Sequence, residues 1–179
     1  MLERRLKNGQ TLILREAQTQ DALQMIEYIN KLADESDFLT FGPGERFNIT
    51  VEEEEKMILS KAETDNQLIL CAFIEGVLVG NLSFNSASRP RVRHSGEFGV
   101  SVLRAYWGLG IATELLHYLL EWAKAGQIIR KINLRVRSDH HAAIGLYHKF
   151  GFSQEGIETR GLLIAGEFYD FTHMGLTLD

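Results

Sequence analysis

Apolar positions recur along this chain in two periods, and the changes from one period to the other mark out its elements. Lys7-Asn8-Gly9-Gln10 is a turn signal, and the β-favouring start of Thr11–Ala17 predicts a strand after it. From Thr19 or Gln20 the period lengthens, and Ala22, Met25, Ile26, Ile29 and Leu32–Ala33 form one helical face. Residues 34–49 mix acidic, aromatic, Gly and Pro residues and read as a loop. Thr50 is placed to cap a second helix, with Glu52–Glu55 in the first turn, where negative charge suits the helix dipole. Gln67–Ile74 and Val77–Phe84 flank the turn Glu75-Gly76, a hairpin signal. Ser95–Leu103 alternates, with Phe98, Val100 and Val102 on one face and Glu97, Gly99 and Ser101 on the other. A helix over Gly108–Ala125 carries the stripe Ile111, Leu115, Tyr118, Leu119 and Trp122. Lys131–Arg137 is a strand with Ile132, Leu134 and Val136 inward. Ser138 or Asp139 then caps a short helix that stops at Phe150-Gly151, and strands near Phe152–Arg160 and Glu167–Leu178 finish the chain.

The order β-α-α-β-β-β-α-β-α-β-β combines antiparallel stretches with one strand–helix–strand crossover. It predicts an α/β (α+β) fold: a central mixed, mostly antiparallel twisted sheet of about seven strands, flanked by about four helices. With 179 residues, no internal repeat and no linker, residues 1–179 are expected to form a single domain.

Composition narrows the function. Nineteen basic against 24 acidic side chains give a net charge of −5, unlike the positive excess of a duplex nucleic-acid binder. The charge is uneven: residues 1–65 hold 14 acidic and 8 basic side chains, a field that favours a cationic ligand if this part covers the site. The single cysteine, Cys71, lies in an apolar strand and has no partner for an intramolecular disulfide. No Cys/His cluster has zinc spacing, so no metal is expected. The longest wholly apolar run is seven residues, far short of a membrane span, and no signal core follows the N-terminus. A cytoplasmic protein, bound to neither membrane nor nucleic acid, is expected.

The chemistry-bearing stretch runs from Ser101 to Thr113, where a strand enters a Gly-containing turn and the turn opens an amphipathic helix. The first N–H groups of such a helix lack intrahelical partners, and Gly108 and Gly110 let the backbone approach a phosphate closely. A tight turn with no ligand uses the same residues. A Walker loop is excluded because Gly-Lys-Ser/Thr is absent. A Rossmann fingerprint fails because Thr113 replaces the third glycine and the next strand, Asn133-Leu-Arg-Val-Arg, ends basic.

These residues resemble the GNAT superfamily of acyl-CoA-dependent N-acetyltransferases over roughly residues 6–178. Leu14-Arg15 and Asp21-Ala22 look like its opening strand and helix, and Val102–Ala112 is similar to its pyrophosphate loop. Ala143-Ile-Gly-Leu-Tyr147-His-Lys-Phe-Gly151-Phe152 is similar to its second signature. Tyr106-Trp107-Gly108 and Tyr169-Asp170 with Met174 resemble the branch that includes ribosomal-protein N-terminal acetyltransferases. Two positions depart from the pattern. Ala105 stands where the loop often has Gln or Arg, with Arg104 beside it, and His140 stands where the second signature usually has Asn.

The resemblance implies direct transfer of an acetyl group from acetyl-CoA to an amine, either a small molecule or a protein N-terminus, and allows a homodimer. Val102 and Leu103 would hold the pantetheine arm by their backbone, and His140 would contact that arm. The amides of Trp107, Gly108, Leu109, Gly110, Ile111, Ala112 and Thr113 would cradle the pyrophosphate. Tyr147 would protonate the leaving thiolate, with free-group pKa values of about 10 and 8.5 on the two sides. Its place on the apolar face with Ala143, Leu146 and Phe150 also suits a plain core residue. Glu97 would accept the amine's proton, and it equally suits a strand-paired surface carboxylate. Asp170, His173 and His94 are weaker candidates, and Arg89, Arg91 and Arg93 form a basic loop. Phe38, Phe41, Glu45 and Tyr169 would line the acceptor's place. Two other classes remain open at this level: a non-catalytic acyl-CoA sensor, and a nicotinamide-nucleotide oxidoreductase.

Overall fold

Hydrogen-bonding demand along the strands is met by one continuous sheet in the computed structural model, which describes residues 1–45 and 48–179. In chain order the strands are β1 (Leu2–Arg5), β2 (Thr11–Glu16), β3 (Leu68–Ile74), β4 (Val77–Ser86), β5 (Ser95–Val102), β6 (Lys131–Arg137), β7 (Ser153–Ile164) and β8 (Glu167–Thr177). They lie side by side as β1-β2-β3-β4-β5-β6-β8-β7, and every neighbouring pair is antiparallel except β5–β6. The mixed sheet matches the expectation, with β1 as an eighth strand. The short polar segment Leu-Glu-Arg-Arg gives no apolar alternation; it becomes a strand by pairing with β2, Leu2 opposite Leu14.

The four helices are α1 (Ala22–Glu35), α2 (Val51–Ala62), α3 (Ile111–Gly126) and α4 (His141–Lys149). One side of the sheet packs Leu14, Leu70, Leu82 and Phe98 against Ile111, Leu115 and Leu119 of α3 and Tyr147 of α4. The other side packs Ile69, Cys71 and Phe73 against Tyr28 and Leu32 of α1 and Ile58 of α2. Burial there pushes the Cys71 thiol up to about 12, so it behaves as core.

Local chemistry fixes the connections. Glu75 and Gly76 both take left-handed φ values, 51° and 79°, as a two-residue hairpin turn requires. Thr50 and Glu53 form a reciprocal capping box at α2: the Glu53 N–H donates to Thr50 Oγ1 at 3.2 Å, and the Thr50 N–H to Glu53 Oε2 at 2.8 Å. α4 corrects the expectation of a Ser138 or Asp139 cap. Its N-cap is His140 with no side-chain cap bond. The Ser138 hydroxyl is paired with Thr172 at 2.9 Å, and the Asp139 carboxylate is held by Arg137. Among the described residues, no helix is long and apolar enough to cross a membrane.

α2 carries Lys61 to the sheet, so its cap bears on the site described below. Thr50→Ala is expected to lower unfolding stability by about 1 kcal/mol in a denaturant titration, through loss of the cap bond.

Candidate active site

β5 and β6 pair in parallel only over Ser95–Glu97 against Lys131–Asn133. Beyond that point β5 continues to Val102 and β6 to Arg137 without pairing, so the sheet opens into a gap. A cavity of about 930 Å³ passes through it. Ile29, Leu32 and Phe38 line it from the α1 side, and Ala143, Leu146 and Tyr147 from the α4 side. The ladder decides which backbone groups face the gap. The Leu103 N–H bonds Val79 O at 3.0 Å, and Val102 stands opposite Gly80. By antiparallel alternation, Val100 and Val102 therefore turn their N–H and C=O groups away from β4 and towards the gap.

This corrects two expected contacts. Leu103 has no free backbone group, because its carbonyl also accepts from the Tyr106 N–H at 2.9 Å. Trp107 is likewise engaged: its N–H bonds Arg104 O at 3.2 Å and its indole Nε1–H bonds Val102 O at 2.7 Å. Val100, which the sequence pattern places on the face of Val102 and does not assign to the site, turns its backbone groups to the gap instead.

At one end of the cavity the amides of Gly108, Leu109, Gly110, Ile111, Ala112 and Thr113 have no acceptor among the described residues; the first closed turn is Glu114 N–H to Gly110 O at 3.1 Å. Gly108 and Gly110 have φ values of 77° and 90°, a conformation that side-chain-bearing residues rarely adopt. Six successive donors at a helix N-terminus make an anion cradle. Ile111 contributes only its amide, since its side chain is buried in the core, and the Leu109 side chain does not line the cavity.

Tyr147 stands deeper in. Its ring is buried edge-on against Phe98 and Phe152, with centroids at 5.8 and 6.1 Å. Burial pushes the phenol up to about 12, which keeps it protonated at neutral pH. The hydroxyl has no protein partner among the described residues, whereas the buried Tyr28 hydroxyl is paired with Ser101 at 2.9 Å. Glu97 lies on the opposite face of β5, at the acceptor end of the same cavity, and its Oε1 accepts from Arg135 Nε at 3.1 Å.

The His140 side chain makes no hydrogen bond to the described residues and lines the cavity. Its ring lies on Phe38, with centroids 3.9 Å apart and an interplanar angle of 23°. The other side of the stack is Arg137, whose guanidinium carbon sits 4.3 Å from the Phe38 centroid and 4.3 Å from that of Tyr169. Arg137 also donates to both Asp139 oxygens, at 2.7 and 2.9 Å, and to Asp37 O at 2.7 Å. Burial, then the Arg137 charge, holds the His140 imidazole below its ordinary value, so it stays neutral. The pile His140–Phe38–Arg137–Tyr169 thereby ties the 34–45 segment to α4 and to β8.

The acetyltransferase (GNAT) family model matches residues 27–152. The chain belongs to that family. Among curated relatives, the L-amino acid N-acetyltransferase AaaT of Escherichia coli K12 is 33 % identical over 108 residues, which is 60 % of this chain and 65 % of that protein. The N-alpha-acetyltransferase RimI of Mycobacterium tuberculosis H37Rv is 33 % identical over 91 residues, 51 % of this chain and 55 % of that protein. The alignments thus span less than two thirds of either relative's own length. A GNAT-family acetyltransferase from Streptococcus pneumoniae superposes with a TM-score of 0.90 at 36 % identity, covering 93 % of this chain and 99 % of that one.

Acetyl-CoA is the cofactor in solved structures of the GNAT fold, and the groups present in this GNAT chain suit it. The unpartnered amides fit a pyrophosphate, the β5 edge fits an amide-bearing arm, and the Tyr147 hydroxyl points to no protein acceptor. Lys7, in the β1–β2 turn, lines the same cavity as the amide cradle; the sequence shows it only as a turn residue. Arg137 was equally hidden, since a strand-end arginine reads as solvated. Phe38 and Phe41 line the cavity; Glu45 and Tyr169 do not, and residues 46–47 of the expected 34–49 loop lie outside the described residues. Of the remaining candidates, Arg93 is paired with Asp65 at 2.6 Å, His173 with Glu158 at 2.9 Å, and Asp170 accepts from the Arg160 N–H at 2.8 Å.

Arg137→Ala removes two ring contacts and three hydrogen-bonded donors. Denaturant unfolding is expected to show a loss of about 2–3 kcal/mol. Faster amide exchange at residues 36–41 would localise that loss to the stack.

Proposed function

We propose that residues 1–179 act as one catalytic domain that transfers the acetyl group of acetyl-CoA directly to an amine. One observation carries the reading: a single cavity joins the unpartnered helix-start amides and the Tyr147 hydroxyl, on one side of the sheet, to Glu97 on the other through the gap. Acetyl-CoA, when bound, supplies an activated thioester carbonyl. The amides from Gly108 to Thr113 hold its phosphates, and the outward backbone groups of Val100 with the Val102 N–H hold its arm as an added strand does. The Tyr147 hydroxyl donates its proton to the departing sulfur. Glu97 accepts the proton of the attacking amine on Oε2, the oxygen that Arg135 leaves free. No nucleophilic side chain is needed, and Cys71 is too deeply buried to serve as one.

A non-catalytic acyl-CoA sensor would use the same amides. The Tyr147 hydroxyl, which no protein group engages and which shares the cavity with Glu97, supports the catalytic reading. The acceptor is a small amine or a protein N-terminus, and the two curated relatives, named for L-amino acids and for N-alpha-acetylation, support one class each. Tyr106-Trp107-Gly108 supports a place near the ribosomal-protein branch, and the reading requires no second copy of the chain.

Acetyl-CoA-dependent thiol release, followed over a panel of amines, tests the activity. Tyr147→Phe is expected to lower kcat about 100-fold or more, with the dissociation constant for acetyl-CoA unchanged. Unchanged kcat would remove Tyr147 from the proton-donor role.

A further inference from the structure

We propose that Glu97 and Arg135 together read a zwitterion, so that the acceptor is a free α-amino acid with an apolar side chain rather than a peptide N-terminus. This inference rests on the transferase reading above. Arg135 spends only Nε on Glu97, at 3.1 Å, with its guanidinium carbon 5.8 Å from the Phe171 centroid; its two Nη groups and Glu97 Oε2 have no hydrogen-bond partner among the described residues. Both side chains are nearly half exposed and line the acceptor end of the cavity, on the two strands that part at the gap. A carboxylate receptor and a proton acceptor thus stand side by side. The α-carboxylate and α-amine of an amino acid, one carbon apart, have the matching arrangement, and two free Nη groups offer a carboxylate a paired, charge-assisted contact.

The surrounding charges favour a ligand that brings a carboxylate. Asn85 stands opposite Glu97 in the β4–β5 ladder, and Lys61 Nζ donates to Asn85 Oδ1 at 2.6 Å and to Ser83 Oγ at 3.0 Å. Lys61 itself does not line the cavity, and its charge faces Glu54, so Arg135 is the cation that stands beside Glu97. Of the other groups nearby, Arg137 is matched by Asp139, and the His173 ring is hydrogen-bonded to Glu158 at 2.9 Å. Glu54, buried on the same helix as Lys61, does not line the cavity. Glu97 and Arg135 balance one another, so a zwitterion of no net charge matches both, whereas an acceptor bearing only an ammonium leaves the Nη groups without an anion. The acidic first third of the chain does not alter this, because Glu52, Glu53 and Glu55 do not line the cavity. Ile29, Leu32, Phe38 and Phe41 at the same end supply an apolar wall for the side chain.

The test compares kcat/KM for L-leucine and L-phenylalanine with kcat/KM for their amides, by thiol release from acetyl-CoA. The amide carries the less basic amine and more of the reactive free base, which biases the comparison against the proposal. The wild-type protein is expected to prefer the acids, and Arg135→Gln to lower the acid-to-amide ratio roughly 10- to 100-fold. Arg135→Lys, which keeps the charge and loses the fork, should recover part of that ratio. A shift in melting temperature with acetyl-CoA confirms that each variant is folded and loaded. Equal or better use of the amides, or a ratio unmoved by Arg135→Gln, overturns the proposal while leaving the transferase reading intact. No thiol release with any amine overturns both.

Discussion

The parting of β5 from β6 after a short stretch of parallel pairing is the constraint on which the rest of the structure turns. β6 keeps its full antiparallel pairing with β8, so the sheet remains continuous while one of its internal edges is left open. Open backbone groups inside a protein need partners, and here Val100 and the Val102 N–H face a cavity rather than a strand, while the Val102 carbonyl takes the Trp107 indole. The same opening lets a ligand on the α3–α4 side reach groups on the α1–α2 side. A sheet with β5 and β6 fully paired would separate the amide cradle and Tyr147 from Glu97 and Arg135.

Both sides of the opening are held by interactions that cost little to maintain and much to break. On the cofactor side the two left-handed glycines turn six amides inward, and the helix behind them is anchored by Ile111, Leu115 and Leu119 in the core. On the acceptor side the 34–45 segment has few apolar anchors of its own. It is fixed through Phe38, clasped between His140 and Arg137, and through the Asp37 carbonyl on the same guanidinium. Arg137 is almost fully buried, and every direction of its planar group is used: the edge by hydrogen bonds, the faces by rings. His140 therefore has a structural use for its ring, stacked on Phe38, besides its place in the cavity lining.

Much of the fold is legible in the sequence because it depends on local rules. Period-2 and period-3.6 patterns, the Glu75-Gly76 turn and the Thr50/Glu53 cap each act within a few residues and each predicts what forms. The amide cradle is legible for the same reason, being a strand, two glycines and a helix start. What the sequence leaves out arises between elements distant along the chain. β1 exists because β2 offers an edge, not because Leu2–Arg5 alternates. Leu103 loses its expected contact because ladder parity commits its amide to Val79, which a one-residue shift would reverse. The Arg137 stack joins residues 37, 38, 137, 139, 140 and 169, and no spacing rule connects them. The pairing of Glu97 with Arg135 likewise needs the strand order, since a parallel neighbour cannot be read from either strand alone.

Backbone amide NMR of the protein titrated with acetyl-CoA tests most directly whether the open edge of β5 and the start of α3 together hold the cofactor. The expected result is that Gly108–Thr113, Val100 and Val102 shift and become protected from exchange, whereas Leu103, already bonded to Val79, changes little. Saturable binding that leaves Val100, Val102 and the six cradle amides unaffected would place the cofactor elsewhere and contradict the role given to the gap.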